Sequence, residues 1–430
     1  EDATAGGEEF DCELEFHLQL QNHESVLSKS SGNPYADPAL AEWMGGFEGM
    51  YEWPQPAESA SEKAARAAWQ NRLYALFSNA GIFLPGLMLA LLVALAGRNL
   101  ASWIGHSLWS MDRTPVSAVL VTILVGFAIR NAIGLPEIYE KGIGLCVKRL
   151  LRLGIMLLGL RLSFVTLGLV GLYALPIVLI CISVALVLVR QINRFLGLPK
   201  RLGSLIAVGT SICGVSAVVA TGPIIKADKD EISYAVACVT IFGMVGLFIY
   251  PFAAHWMFGT EPILVGQFLG TAIHDTAQVA GAGLLYSERF AAPEALESAT
   301  VTKLVRNLFM IGVIPLMAFL YRRDSAAITE RPRWYELVPL FVVGFVAMAA
   351  LRSVGDLYLF AGFEDRWSTL LSWAGRSSNW LLTMAMAGVG LGTSISKLRG
   401  IGLRPMTVGF IAAALVGVVS AVLVRMLAAI

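Results

Sequence analysis

Six stretches of this chain carry no Asp, Glu, Lys or Arg: residues 73–97, 162–189, 202–225, 232–260, 377–396 and 405–424. About 20 apolar residues wound into a helix cross the hydrocarbon of a bilayer, where the backbone must satisfy its own polar groups. Runs of this kind point to one fold class, an all-α polytopic membrane protein. Only 15% of the 430 residues are charged, against roughly a quarter in soluble domains. That sets soluble enzymes far behind and leaves no expectation of a nucleic-acid partner.

The hydropathy pattern predicts eleven spans, at 80–97, 114–133, 146–166, 170–190, 203–225, 232–257, 263–286, 300–321, 335–352, 377–396 and 404–428. Four connections are basic: 141–152 (Lys141, Lys148, Arg149, Arg152), 190–201 (Arg190, Arg194, Lys200, Arg201), 322–333 (Arg322, Arg323, Arg331, Arg333) and 397–404 (Lys397, Arg399, Arg404). Strict alternation through eleven spans puts all four on one side. Basic loops stay in the cytoplasm, so the expectation is a multi-pass inner-membrane protein with its N-terminus inside and its C-terminus outside.

The net charge of +1 hides two unlike parts. Residues 1–62 hold 14 acidic side chains and one basic one, Lys29, while residues 63–430 carry a net +14. Residues 1–56 read as an acidic, partly disordered cytoplasmic tail. The aromatic group Trp43, Phe47, Tyr51 and Trp53 suits docking on the body or on a cytoplasmic partner; an inert solubilising tail is the other reading. Residues 57–79 read as an amphipathic interfacial helix. Ser59 and Glu62 form a capping box, and Lys63, Arg66 and Arg72 oppose Trp69, Leu73, Leu76 and Phe77. Residues 80–430 form the transmembrane domain. The chain opens at Glu1 without a signal-peptide core, so either processing removed a start or the numbering begins inside a longer precursor.

Cys12, Cys146, Cys181, Cys213 and Cys238 are not spaced as a metal knuckle or a redox pair. No metal and no organic cofactor is expected, and His17 and His23 with Cys12 read as chance neighbours. Internal repetition is expected from a transporter-like body. Gly209-Thr210-Ser211-Ile212 recurs at Gly392-Thr393-Ser394-Ile395. A rival register matches 159–171 to 390–402.

Polar residues inside apolar spans mark where chemistry could sit. Within 209–223, Gly209, Gly214, Gly222 and Pro223 weaken a helix that also carries Thr210, Ser211, Cys213, Ser216 and Thr221. A broken helix at membrane depth presents a half-helix N-terminus, whose free N–H groups favour an anion. Close helix packing through small residues would use the same composition. Residues 270–283 echo the pattern, Gly-Thr-small-Ile, and add His274, Asp275 and Gln278, with Thr271, His274 and Gln278 sharing a face. Lys303, Arg306 and Asn307 open the span at 300. They either snorkel to the headgroups, or Lys303 turns inward toward Asp275 or a substrate. Arg161 interrupts its span beyond the basic cluster and offers a planar fork for an oxyanion, or lies at the outer headgroups.

Taken in order, LLRLGIMLLGLRLS (150–163), GTSICGVSAVVAT (209–221), GTAIHDTAQV (270–279) and the Lys303–Arg306 pair resemble the YeiH family, labelled as sulfate exporters. The resemblance runs from about residue 82 to the C-terminus. It implies a fold related to sodium/proton antiporters and bile-acid-type transporters: inverted repeats with broken helices crossing at the midplane, and by fold-level analogy a homodimer. It implies a small inorganic or organic anion as substrate, with the functional pattern on Gly209–Gly214, His274, Gln278, Lys303 and Arg161. The family commonly has Glu after the His. Asp275 keeps a carboxylate there, one methylene shorter.

The expected function is therefore a secondary transporter that moves sulfate, sulfite or a sulfonate by alternating access. H⁺ coupling through His274 and Asp275, or Na⁺ coupling through unwound carbonyls, stays open. The alternative on the same fold is a monovalent cation/proton antiporter, which usually wants more deep carboxylates than Asp275. A membrane enzyme lacks a nucleophile elbow or HExxH motif in this sequence.

Overall fold

A computed structural model describes residues 60–109, 117–259, 261–321, 340–359, 364–394 and 403–428. The tail 1–56 with Cys12, His17, His23 and its aromatic group lies outside the described residues. So do the connection 322–333 and Lys397 and Arg399. Two compact units are distinguished, Glu1–Leu73 and Tyr74–Ile430.

Every regular element among the described residues is helical. Helix α1 runs Ala60–Trp109 and α2 Ala118–Ala132. Next come α3 (Glu137–Leu145), a π-helical turn (Cys146–Leu150), α4 (Leu151–Leu158) and a 3₁₀ turn (Gly159–Arg161). They follow one another without a loop. Then come α5 (Phe164–Phe195), α6 (Lys200–Ser211), α7 (Val215–Ile224), α8 (Lys229–Phe258), α9 (Pro262–Ala272) and α10 (Thr276–Phe290). The chain continues as α11 (Pro293–Leu308), α12 (Met310–Leu320), α13 (Leu340–Val354), a second π turn (Gly355–Leu359), α14 (Glu364–Gly392) and α15 (Leu403–Leu427). Among the described residues, six helices are long and apolar enough to cross a membrane by length and composition: Gly81–Ile104, Phe164–Phe195, Lys229–Phe258, Pro293–Leu320, Leu340–Leu357 and Met406–Leu427.

Two differences from the expected spans matter. The span expected at 146–166 starts at Glu137, behind Pro136, so Lys141, Lys148, Arg149 and Arg152 are helical rather than parts of a connection. The span expected at 300 starts at Pro293. Proline suits the first helical turn, whose N–H groups have no acceptor in any case. Lys303 and Arg306 therefore lie about 15–20 Å along their helix instead of at its mouth.

The helices of the transmembrane body sort into two groups. In one, α2, α3, α4, α13 and α14 pack together, and residues 90–94 of α1 bury against Ile143, Ala387 and Leu391. In the other, α5 to α12 and α15 pack on one another. Within the second group, α9 lies directly on α11. A Cβ on Gly266 would come 2.6 Å from the Ala295 carbonyl, and one on Gly270 would come 2.7 Å from that of Ala299. Small residues permit this backbone approach, and it fixes α11 against α9.

The two groups are tied at one end. Glu288, near the end of α10, accepts hydrogen bonds from Ser117 Oγ (2.8 Å) and Val119 N (3.3 Å) at the start of α2. Arg161 pairs with Glu297 of α11 at 3.2 Å. Glu288 thus supplements the Ser117 cap of α2. Its replacement by Ala removes one acceptor from a helix start, a cost of about 1 kcal/mol. The melting temperature of Glu288→Ala should fall by about 2–4 °C, measured by thermal unfolding in detergent.

Candidate functional site

The spans at 203–225 and 263–286 are both broken, at matching places in their sequence echo. Helix α6 ends at Ser211. Ile212 takes φ −120°, ψ −95°, and Gly214 takes φ 66°, ψ −126° before α7 begins. Helix α9 ends at Ala272, and Ile273 (φ −87°, ψ 137°) and Asp275 (φ −95°, ψ 145°) run extended into α10. Gly209-Thr210-Ser211 and Gly270-Thr271-Ala272 thus occupy the same position, the last turn of a first half-helix. The other copy of the tetrapeptide also ends a helix, since α14 stops at Gly392.

Each break strands backbone carbonyls in the interior, where water cannot serve them. Three go to the chain itself: Ile212 N donates to Val208 O at 3.1 Å, Gly214 N to Gly209 O at 3.0 Å and Ile273 N to Leu269 O at 3.2 Å. The others go to α11. Lys303 Nζ donates to Ile212 O (2.8 Å), Ile273 O (3.0 Å) and His274 O. Arg306 donates through Nε to Ser211 O (2.6 Å), and through its terminal nitrogens to Thr210 O, Thr271 O and Ile273 O. Both side chains are 0% exposed. The two cations thus sit on the negative dipole ends of both first halves and clamp two crossing helices to a third. Lys303 turns inward, but toward carbonyls; it forms no ion pair with Asp275 among the described residues.

The hydroxyls of the two breaks follow a common pattern. Thr210 Oγ1 donates to Ile206 O (2.8 Å) and Thr271 Oγ1 to Gln267 O (2.7 Å), with Ser420 on α15 also against Thr271. Ser211 Oγ donates to Val208 O at 3.1 Å. Cys213 is buried against Met310 (Sγ to Sδ 3.2 Å), and Cys146, Cys181 and Cys238 are buried outside any disulfide. His274 is buried, with no partner at Nδ1.

The second half-helices present the opposite pole. A cavity of about 500 Å³ lies between the two helix groups. Its floor is Val215 and Ser216 at the start of α7, and Asp275, Thr276, Ala277 and Gln278 at the start of α10. Its walls come from α2, α3, α4, α13 and the end of α14, and include Arg130, Glu140, Lys148 and Arg152. Arg130 pairs with Glu140 at 3.1 Å, while Arg152 stands over the Phe341 ring at 5.8 Å. Gly144, Val147, Lys148, Leu151, Arg152 and Ile155 of the continuous helical run from α3 to α4 line the cavity together.

Of the residues singled out in the sequence, Ser216, Asp275 and Gln278 line this cavity. Gly209, Thr210, Ser211, Cys213, Gly214, Thr271, His274 and Lys303 build the crossing behind its floor. Arg161 is elsewhere, at the tied end with Glu297. The sequence pattern did not single out Thr276, Ala277, Lys148 or Arg152 for the site, nor Arg306 as part of the crossing.

The family profile described as conserved hypothetical protein 698 matches residues 85–409. A UPF0324 membrane protein of Pseudomonas aeruginosa is 33% identical over 333 residues, covering 75% of this chain and 88% of that protein. A UPF0324 membrane protein of Bacillus cereus is 31% identical over 347 residues, 80% of this chain and 94% of its own. The UPF0324 inner membrane protein YeiH of Escherichia coli is 31% identical over 337 residues, 76% and 90% respectively.

Proposed function

The chain belongs to the family described as conserved hypothetical protein 698, that of the YeiH membrane proteins, and on that premise we propose that it is a secondary transporter of a small anion such as sulfate, sulfite or a sulfonate. One observation carries the reading: two half-helix N-termini form the floor of one cavity between two helix groups. A half-helix N-terminus offers N–H groups without intrahelical acceptors and the positive end of its dipole. Half-helices meeting at a substrate site are the design of alternating-access carriers. Lys148 and Arg152 on the wall add positive charge along the approach to that floor.

Rocking one helix group against the other is the motion this reading needs. The end that carries Arg161–Glu297 and Ser117–Glu288 is the closed side, and the cavity faces the side of Lys148 and Arg152. By the positive-inside rule that side is cytoplasmic, with the N-terminus inside and the C-terminus outside. Lys303 and Arg306 belong to the scaffold in this reading, because their donors are already committed to carbonyls.

The test is thermal unfolding of the detergent-purified full chain with sulfate, sulfite, thiosulfate, small sulfonates and carboxylates, Na⁺ and Li⁺. An anion at about 100 times its Kd should stabilise the fold by about 2.7 kcal/mol. Ser216→Val should weaken that anion about tenfold, the worth of one hydrogen bond to a charged group, while leaving the unliganded melt unchanged. A shift by Na⁺ or Li⁺ alone, abolished in Asp275→Asn, would replace this reading with cation/proton antiport.

A further inference from the structure

The two N-termini on the cavity floor are not alike. At α7 the capping position is Gly214, which has no side chain to offer. At α10 it is Asp275, whose Oδ1 accepts from Ala277 N at 2.8 Å. One of the two positive poles therefore already holds a carboxylate, covalently part of the chain. The other pole is bare, and it faces the same carboxylate: a Cβ placed on Gly214 would lie 3.2 Å from Asp275 Cα and 3.3 Å from its Oδ2. Val215 and Ser216 line the cavity beside Asp275 and Thr276, so an anion that reaches the bare N–H groups of α7 comes to rest against Asp275. Gln278 lies on the same floor, 4% exposed, and its Nε2 donates to Thr240 O of α8 at 3.1 Å.

We infer that Asp275 is a tethered anion sharing the site with the substrate, so that each transported anion enters together with one proton taken up by Asp275. The inference rests on the anion reading above. Two like charges a few ångströms apart in a water-poor floor repel strongly. Protonating the carboxylate removes the repulsion and turns one oxygen into a donor. The proton comes from the cavity water, adds to one carboxylate oxygen, and leaves from it when the anion is released.

The other charged and titratable groups around Asp275 do not offer the same switch. Lys303 and Arg306 on α11 are held by backbone carbonyls. His274 and Cys213 are buried within the breaks and do not line the cavity. Across the cavity, Glu140 is paired with Arg130, and Arg152 stands over the Phe341 ring with Lys148 on the same wall. Among the described residues, α8 and α14 contribute no charged side chain to the cavity.

The experiment is a titration of the full-length protein with sulfate, thiosulfate and methanesulfonate, read by thermal stabilisation from about pH 5.5 to about 8.5. These probes keep their charge across that range. For the wild type, Kd should rise about tenfold per pH unit once Asp275 is ionised in the empty protein. Addition of the anion to a weakly buffered sample should take up about one proton per site. In Asp275→Asn the affinity should no longer depend on pH, and at the alkaline end it should exceed that of the wild type. Asp275→Ser, which keeps a neutral capping oxygen, should behave as Asp275→Asn does and stands in for it should the amide fail to fold. Anion binding with a pH-independent Kd in the wild type, or a pH slope that survives both substitutions, overturns the inference. No stabilisation by any anion at any pH overturns the anion reading as well.

Discussion

Arg306→Ala is expected to leave a protein that no longer purifies as a single folded species in detergent. The guanidinium serves four carbonyls from two helices, and three of them, those of Thr210, Ser211 and Thr271, receive no donation from Lys303. A buried acceptor left without a donor costs about 1–3 kcal/mol. Thr210 O also meets His274, so two carbonyls are orphaned, on the order of 4 kcal/mol and a large part of the roughly 5–15 kcal/mol that holds a typical domain. Relief from burying a charge opposes this loss, but alanine offers no replacement for the donors. Arg306→Lys should rescue little, because one ammonium cannot span four carbonyls on two helices. Lys303→Ala should be milder, since Ile273 O keeps its bond from Arg306. Size-exclusion profiles and melting curves decide the matter. A melting temperature of Arg306→Ala within about 2 °C of the wild type would show that the clamp is dispensable.

Gly214→Ala is expected to lower anion affinity at least a hundredfold, more than loss of any single hydroxyl at the site. Gly214 has φ 66° and ψ −126°, a region that an L side chain enters only at a cost of about 1–3 kcal/mol. A methyl group there also meets the Cα and Cβ of Asp275, both at 3.2 Å. The neighbour in this case is backbone on the second broken helix, so relief requires the two breaks to move apart. That displacement separates the N-terminus of α7 from that of α10, the two halves of the floor. Sulfate titrations of the variant, alongside its melting curve, separate the two effects. An affinity equal to that of the wild type would mean that the spacing of the breaks does not set the site.

Most of the fold was legible because lipid imposes simple rules. Charge-free runs marked spans, Gly, Pro and hydroxyl residues inside 202–225 pointed to the break at 212–214, and the echo of that pattern at 270–283 pointed to the one at 273–275. The misplaced elements have specific reasons. Lys148 and Arg152 were assigned to a connection because their charges interrupt the apolar run. The structure carries the helix through them from Pro136, and both line the cavity. Lys303 and Arg306 were read as open to snorkelling to a headgroup because the span was started at residue 300. Pro293 was the available signal for the earlier start, since proline favours a first turn. The partners of Lys303 and Arg306 could not be read at all. Carbonyl acceptors have no side-chain signature, and a lysine aimed at backbone looks in sequence like a lysine aimed at a substrate.

The clamp on α11 also sets a timetable for synthesis. Thr210, Ser211 and Ile212 leave the ribosome 91 to 96 residues ahead of the side chains that satisfy them. At about 5–20 residues per second this is a delay of roughly 5–20 s. Throughout it, the first broken helix waits at the membrane with open carbonyls and no partner. The second broken helix waits for less, its carbonyls preceding Lys303 and Arg306 by 29 to 35 residues. The insertion machinery must therefore shelter α6 and α7 from lipid until α11 arrives. A ribosome that stalls between residues 224 and 303 would leave a nascent chain whose apolar spans are inserted but whose centre cannot close, a natural substrate for membrane quality control.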